Sequence, residues 1–148
     1  MTRILMTTLF ASFALLATPA AEDLTSTFYV QLVRGSDEDK APKADAKPIG
    51  PKLSQKLQPV FRWKQYWEMN RVEVKVASGK AAKVRLSDTH EVEIDLKTPG
   101  KRTVRFYGEG KLVSASTQPV GESLNIQGEN SKTGSAWFIV VRRDKPQD

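Results

Sequence analysis

The densest group of side chains with binding chemistry in this 148-residue sequence lies at 61–67, which reads FRWKQYW. Aromatic rings flanked by hydrogen-bond donors suit sugar rings or the chain of a partner protein. Side chains alternate between the faces of a strand, so we expect the two tryptophans on one face and the two cations with Tyr66 on the other. The candidate binding residues are Arg62, Trp63, Lys64, Tyr66 and Trp67. The interpretation that we prefer buries the tryptophan face in the core and leaves a row of cations and an aromatic ring in solvent, because sandwiches routinely bury a tryptophan on such a strand.

Catalytic chemistry finds little support in the sequence. His90 is the only histidine; it begins a predicted strand and shares the inward face of Val92, whereas the adjacent Glu91 points the other way. A histidine base needs a carboxylate to orient it and a nucleophile beside it. The segment 121–125, GESLN, has asparagine where a nucleophile elbow requires its second glycine. We therefore predict no catalytic residues, and an enzyme ranks third among the functions considered.

Metal and cofactor sites are also not predicted. A chain with one histidine and no cysteine cannot assemble a zinc site. The acidic run at 37–39 lacks the ligand spacing and the turn glycine of a calcium loop. No glycine-rich loop stands between a strand and a helix, so we expect no nucleotide cofactor.

The elements that position these residues are strands. A first strand is predicted at 26–34, and from Pro59 onward the apolar residues recur with a period of two. Short runs of this kind, separated by turn residues, lie at 60–67, 71–77, 83–87, 90–96, 102–107, 111–116, 123–127 and 135–143. They predict an all-β fold: a single antiparallel β-sandwich, or an open barrel, of about eight short strands.

The last strand differs from the others. Residues 137–141, WFIVV, show no polar alternation, so both faces of this strand are predicted to be covered. We expect it in the middle of a sheet, beside the first strand.

Residues 36–50 interrupt the strand pattern with two prolines and seven charges. Such a segment has little apolar area to bury, which predicts a mobile charged loop. Gly50 and Pro51 then favour one helical turn, with Leu53 and Leu57 on the same face. Glu68, Met69 and Asn70 are predicted to form a corner between two strands.

The first 21 residues have the order of a secretory signal peptide: a cation at Arg3, an apolar run over 4–17 and small residues at 18–21. Cleavage after Ala20 is preferred to cleavage after Ala21, because the latter places Pro19 in the peptidase pocket. An uncleaved N-terminal anchor is the alternative. The predicted organisation is a signal peptide at 1–21 followed by one β domain at 22–148, with no membrane span in that domain.

The charge of the domain bears on its partners. Arg3 is the only charge before Glu22, so removing residues 1–21 leaves 22 basic and 17 acidic side chains, a formal charge of +5. The signs are interleaved along the strands, which is typical of solvent faces. A positive field of this kind attracts anionic envelope polymers. Nucleic acid is not an expected partner, because export separates the chain from it and no binding motif is present.

These observations predict an exported protein, periplasmic or extracellular, that works by binding. The preferred function is a binding or accessory module in a bacterial cell-envelope assembly, with another envelope protein as its partner. The alternative is a glycan-binding module that uses an exposed aromatic strand at 61–67. An exposed coplanar tryptophan pair would favour sugar, whereas buried tryptophans with an exposed sheet edge would favour protein.

Overall fold

The computed structural model describes residues 24–129 and 135–147. These residues form two antiparallel sheets that pack as a β-sandwich, which confirms the predicted fold class. The elements are β1 (Thr25–Ser36), β2 (Lys47–Pro48), α1 (Pro51–Leu57), β3 (Gln65–Ala77), β4 (Ala81–Arg85), β5 (His90–Asp95), β6 (Lys101–Gly108), β7 (Lys111–Pro119), β8 (Leu124–Glu129) and β9 (Ser135–Arg142).

The five-stranded sheet has the order β2-β3-β1-β9-β8, and the four-stranded sheet has the order β4-β5-β6-β7. The prediction for the last strand is confirmed, because β9 lies between β1 and β8. The second sheet is a simple meander of neighbouring hairpins. Its tightest turn, at Glu109 and Gly110, places both residues at positive φ, as a two-residue hairpin turn requires.

An inner core fills the space between the two sheets. The inward positions of the alternating strands supply it, and they are the positions that the period-two pattern predicted. Its buried members are Phe28, Val30, Leu32, Val74, Val76, Leu86, Val92, Ile94, Val104, Phe106, Ile139 and Val141.

A second, outer core covers the opposite face of the five-stranded sheet. Helix α1 begins at Pro51, as predicted, and it buries Leu53 and Leu57 against the sheet. The other buried members of this cluster are Val33, Trp63, Tyr66, Ala136, Phe138 and Val140. Strand β9 is therefore apolar on both faces because Ile139 enters the inner core and Val140 the outer one.

The predicted strand at 60–67 is wrong over most of its length. The chain leaves α1 through a turn in which the backbone N–H groups of Val60 and Phe61 donate to the Leu57 carbonyl, and β3 begins only at Gln65. The composition of 61–64 favours a strand, but packing of this segment on the outer face overrides that preference. Residues 68–70, predicted as a corner, lie inside β3.

A β-bulge in β3 explains why one long strand resembled two short ones. Leu32 of β1 pairs with Asn70, but the next residue, Val33, pairs with Glu68, so Met69 is left as the extra residue. A bulge of this kind breaks the alternation of side chains at one point. The sequence pattern before Met69 is therefore out of phase with the pattern after it.

The segment at 36–50 contains more regular structure than predicted. Ser36 belongs to β1, and the two residues of β2 pair with β3. The backbone N–H of Lys64 donates to the Asp37 carboxylate over 3.3 Å, and that of Ile49 to the Tyr66 carbonyl over 3.2 Å. Residues 38–45 between these anchors stay largely exposed, and their mobility stays a prediction.

The predicted signal peptide at 1–21 lies outside the described residues. Within 24–129 and 135–147, no helix has the length and apolar character needed to cross a membrane.

Candidate functional site

The five candidate residues do not form one surface. Trp63 is 9% exposed and Tyr66 is 4% exposed, and both belong to the outer core. The prediction that Trp63 and Tyr66 face opposite sides is therefore wrong, because residues 61–64 do not follow the alternation of β3. Arg62 and Lys64 are exposed. The flat platform of exposed rings that the glycan alternative requires is not formed by these residues.

Trp63 is buried because Gly35 makes room for it. A Cβ placed on Gly35 of β1 would lie 2.6 Å from Cδ1 of Trp63, which is too close for any real contact. The indole therefore packs directly against the backbone of β1 at Gly35. The Arg62 guanidinium covers the indole from the solvent side, 4.8 Å from the ring centroid. This contact keeps the charged group at the surface, where it shields the ring from water.

Tyr66 and Trp67 are neighbours on β3 and face opposite sides of the sheet. Tyr66 packs in the outer core, with its ring 6.1 Å from that of Phe138, and burial raises the pKa of its hydroxyl. Trp67 is half-buried and pairs across the strands with Arg34. Trp63 and Trp67, predicted on one face, are therefore separated by the sheet.

An open groove lies beside these residues, and we call it the aromatic groove. It has a volume of about 470 Å³ and is lined by Val60, Phe61, Arg62, Trp63, Gly128, Glu129, Ala136 and Phe138. Phe61 packs on Phe138 with ring centroids 4.5 Å apart. Val60 is 72% exposed, so an apolar side chain stands at the rim of the groove without cover.

The aromatic groove reaches the edge of the five-stranded sheet. Strand β8 is hydrogen-bonded to β9 on one side and is the last strand of the sheet on the other. Near its end, a Cβ on Gly128 would lie 2.9 Å from the Phe138 ring, so glycine is needed for the ring to lie over the strand. The described residues thus combine an aromatic surface with an adjacent strand edge, which the sequence pattern did not reveal.

The other cluster with potential chemistry surrounds His90 at one end of the inner core. His90 is 5% exposed, and its Nε2 lies 2.9 Å from Oε2 of Glu129 on the opposite sheet. Its Nδ1 lies 3.0 Å from the Thr89 hydroxyl and 3.2 Å from the Ser87 hydroxyl. Both ring nitrogens therefore have hydrogen-bond partners, a carboxylate at Nε2 and hydroxyl groups at Nδ1.

The contacts of this cluster are those of a bridge between the sheets. The imidazole lies between Phe106 of one sheet and Trp137 of the other, at centroid distances of 5.5 and 4.8 Å. The Ser87 hydroxyl accepts hydrogen bonds from the backbone N–H groups of Thr89 and His90, as in a turn. The sequence could not pair His90 with Glu129, because 39 positions separate them and only the sandwich brings them together.

Within the part of the chain that the structure describes, no three histidine, cysteine or acidic side chains converge as metal ligands. Comparisons of this chain with protein-family models, with curated proteins and with solved structures found no match.

Proposed function

We propose that this protein is an exported, non-catalytic binding domain of the bacterial cell envelope, and that its partner is another protein. The observation that carries the proposal is the aromatic groove beside the edge of β8, the last strand of its sheet. This site combines the exposed Val60 side chain, the half-buried Phe61 ring, an arginine and a strand edge at which, among the described residues, Gln118 covers only the Leu124 carbonyl. Each of these features is typical of surfaces that receive a polypeptide.

The side chains of the groove support a protein partner. Val60 offers an exposed aliphatic side chain, and the half-buried Phe61 supplies a ring that Phe138 already holds in place. Rings fixed in advance lose little side-chain entropy on binding. Arginine and aromatic residues are enriched in the parts of interfaces that contribute most of the affinity.

The strand edge supports an extended segment as the bound element. A peptide that adds to β8 gains main-chain hydrogen bonds, while every second side chain can enter the adjacent groove. Soluble domains usually protect such edges with charges, bulges or prolines. The sequence of β8, LNIQGE, contains none of these along its first five residues.

The glycan alternative has less support. A sugar ring stacks on an open aromatic face, but Trp63 and Tyr66 are buried and Arg62 already covers the Trp63 indole. An enzyme has less support still, because His90 is enclosed between two aromatic rings. Export and an envelope location are supported by the order of the first 21 residues.

Site-directed photo-crosslinking in intact cells tests this function. A photoreactive amino acid at Val60 should form one discrete crosslinked product with a protein, whereas the same amino acid at Lys75, an exposed position on β3, should not. The substitution Val60→Asp should weaken the interaction without lowering the melting temperature. Equal crosslinking at the two positions, or none at Val60, would contradict the proposal.

A glycan ligand gives a different result in a parallel experiment. The protein would sediment with insoluble cell-wall glycan, and Val60→Asp would leave that sedimentation unchanged while substitutions of Trp67 would reduce it.

A further inference from the structure

Two adjoining depressions lie on the outer face of the five-stranded sheet, between α1 and the C-terminal segment. Their volumes are about 270 and 350 Å³, and both are lined by Lys52, Leu53, Arg142 and Asp144. We refer to the two together as the lysine groove. It is separate from the aromatic groove, with which it shares no lining residue.

The lysine groove has a strong excess of positive charge. Lys56 lines one depression and Lys145 the other, so among the described residues that line the groove four cations face a single carboxylate, that of Asp144. Arg142 donates to Asp144 from Nε over 3.3 Å and also from Nη2. This hydrogen bonding, with a smaller contribution from Lys52, keeps the pKa of Asp144 below its usual value, so the pair stays ionised.

Once Arg142 and Asp144 are paired with each other, the ammonium groups of three lysines in the groove are left to interact with a ligand. Lys52, Lys56 and Lys145 are exposed, and none has an ion-pair partner within residues 24–129 and 135–147. Lysines recognise phosphate as point charges, and several around one site suit a group with more than one negative charge better than a single carboxylate.

Gln31 lies at the wall of the groove and adds a hydrogen-bond acceptor to its positive charges. Its Nε2 donates to Oε2 of Glu68 over 2.6 Å, and Nη2 of Arg71 donates to the same oxygen over 2.8 Å. This fixes the amide so that Oε1 is the remaining acceptor. Oε1 is buried and has no hydrogen-bond partner. A buried acceptor without a partner is costly, and a hydroxyl donor beside it would remove that cost.

We propose that the lysine groove binds the phosphate ester of a polyol. The phosphate lies among Lys52, Lys56 and Lys145, a hydroxyl of the polyol donates to Gln31, and Leu53 and Leu124 contact its carbon chain. The source is either a free polyol phosphate or a lipid headgroup of the same chemistry. This site is independent of the protein partner proposed for the aromatic groove.

Titration of the purified protein with glycerol 3-phosphate tests the site. Binding should shift the backbone amide resonances of Leu53 and Arg142, and it should weaken with added salt. The double substitution Lys52→Gln/Lys56→Gln should lower the affinity by about thirtyfold, which corresponds to roughly 1 kcal/mol for each lysine near an anion. The matched control Lys80→Gln/Lys111→Gln removes the same charge from exposed positions elsewhere and should leave the affinity unchanged. Equal loss in both variants overturns the proposal.

The polyol is tested separately from the phosphate. Glycerol 3-phosphate should bind more tightly than methyl phosphate, which carries no hydroxyl outside its phosphate. Gln31→Met should remove that difference without changing the affinity for methyl phosphate. Equal affinities of the unsubstituted protein for the two ligands overturn the assignment of Gln31, whether or not the variant folds.

Vesicles distinguish the two sources. If the ligand is a lipid headgroup, vesicles with phosphatidylglycerol should retain the protein, vesicles of phosphatidylcholine alone should not, and Lys52→Gln/Lys56→Gln should reduce retention. Binding of glycerol 3-phosphate without retention by either vesicle assigns the site to a free polyol phosphate. If the protein neither binds glycerol 3-phosphate nor is retained by phosphatidylglycerol vesicles, the proposal is overturned. That outcome leaves the crosslinking result at Val60 unaffected.

Discussion

The most deeply buried charged side chain among the described residues is Arg102 on β6, which is 1% exposed. It shares the inward face of Val104, and its guanidinium lies over the Phe28 ring at 5.3 Å. Its Nη2 donates to the backbone carbonyl of Glu122 over 2.9 Å, and its Nε has no partner. Burial and the nearby Arg143 lower the pKa of Arg102. The charge of Arg102 is therefore only partly compensated, and its burial lowers the stability of the fold.

Replacing this charge by an apolar side chain of similar length should therefore be tolerated. A buried ionic group can often be exchanged for a well-packed hydrophobic residue with no loss, or with a gain of about 1–4 kcal/mol. We expect Arg102→Met to unfold at an equal or higher urea concentration than the unsubstituted protein. Arg102→Ala should unfold at a lower one, because it leaves a cavity. The prediction is wrong if the two variants are destabilised equally.

Arg105 on the same strand provides the contrast. It faces outward and lies 2.7 Å from Glu93 and 3.0 Å from Asp95, so it separates two carboxylates. Arg105→Met should destabilise the protein, because it leaves those like charges side by side on one face. Arg102→Met and Arg105→Met are therefore expected to change the stability of the protein in opposite directions. The two arginines lie on one strand, so the difference comes from their surroundings.

At the scale of the elements, the bulge at Met69 determines the phase of β3. Deleting Met69 would place Glu68 next to Asn70, and every other side chain of the strand would keep its face. Deleting Glu73 instead would turn all residues on one side of the gap to the wrong face. We expect the Met69 deletion to cost about 2 kcal/mol and to retain the fold.

Equilibrium unfolding of the two deletion variants checks this expectation. The Glu73 deletion should be unfolded or lack a cooperative transition. Comparable losses of unfolding free energy in both variants would show that the fold requires the bulge and does not merely tolerate it.

Strand β9 should be sensitive on both faces. Ile139 and Val140 are fully buried in the inner and outer cores, so Ile139→Ala should cost about 2–5 kcal/mol and Val140→Ala somewhat less. On β3, Val74→Ala should also destabilise, whereas Glu73→Ala on the exposed face should stay within about 0.5 kcal/mol of the unsubstituted protein. Urea melts of the four variants decide the matter, and a change near zero at 139 or 140 would contradict the two-core arrangement.

At the scale of the whole molecule, residues 38–45 are a poorly protected segment of the described chain. They bury few side chains, and their few local hydrogen bonds include those from the Glu38 N–H to the Ser36 hydroxyl and from the Ala46 N–H to the Lys43 carbonyl. Limited trypsin treatment should therefore cut first after Lys40 or Lys43. Mass spectrometry of the fragments identifies the site, and a first cut between Arg71 and Leu96 would contradict the prediction.

Export is a prediction about the chain as a whole. Cleavage at the end of the small-residue stretch should give a mature protein that begins at Ala21 or Glu22. Mass spectrometry of the protein from the cell envelope or the medium measures this directly. Recovery of intact chains that begin at Met1, or recovery from the cytoplasm, would reject the signal peptide and with it the proposed envelope function.

The sequence by itself determined the fold class, most strand positions, the helical turn at Pro51 and the central place of β9. These features depend on local periodicity: alternation places Val92 and Ile94 inward, and unbroken apolar composition requires cover on both faces of 137–141. Such patterns are properties of neighbouring residues, so they can be recognised before any tertiary contact is known.

Tertiary structure alone decided where the candidate site lies. Trp63 was predicted on a strand, but it packs on Gly35, and no periodicity in the sequence links those two positions. The bulge at Met69, the pairing of His90 with Glu129 and the placement of Gln31 beside the lysine groove also depend on segments that are distant along the chain. Local preference is worth only a fraction of a kcal/mol per residue, whereas burial of one large side chain contributes several times more, so packing overrides the pattern wherever the two conflict.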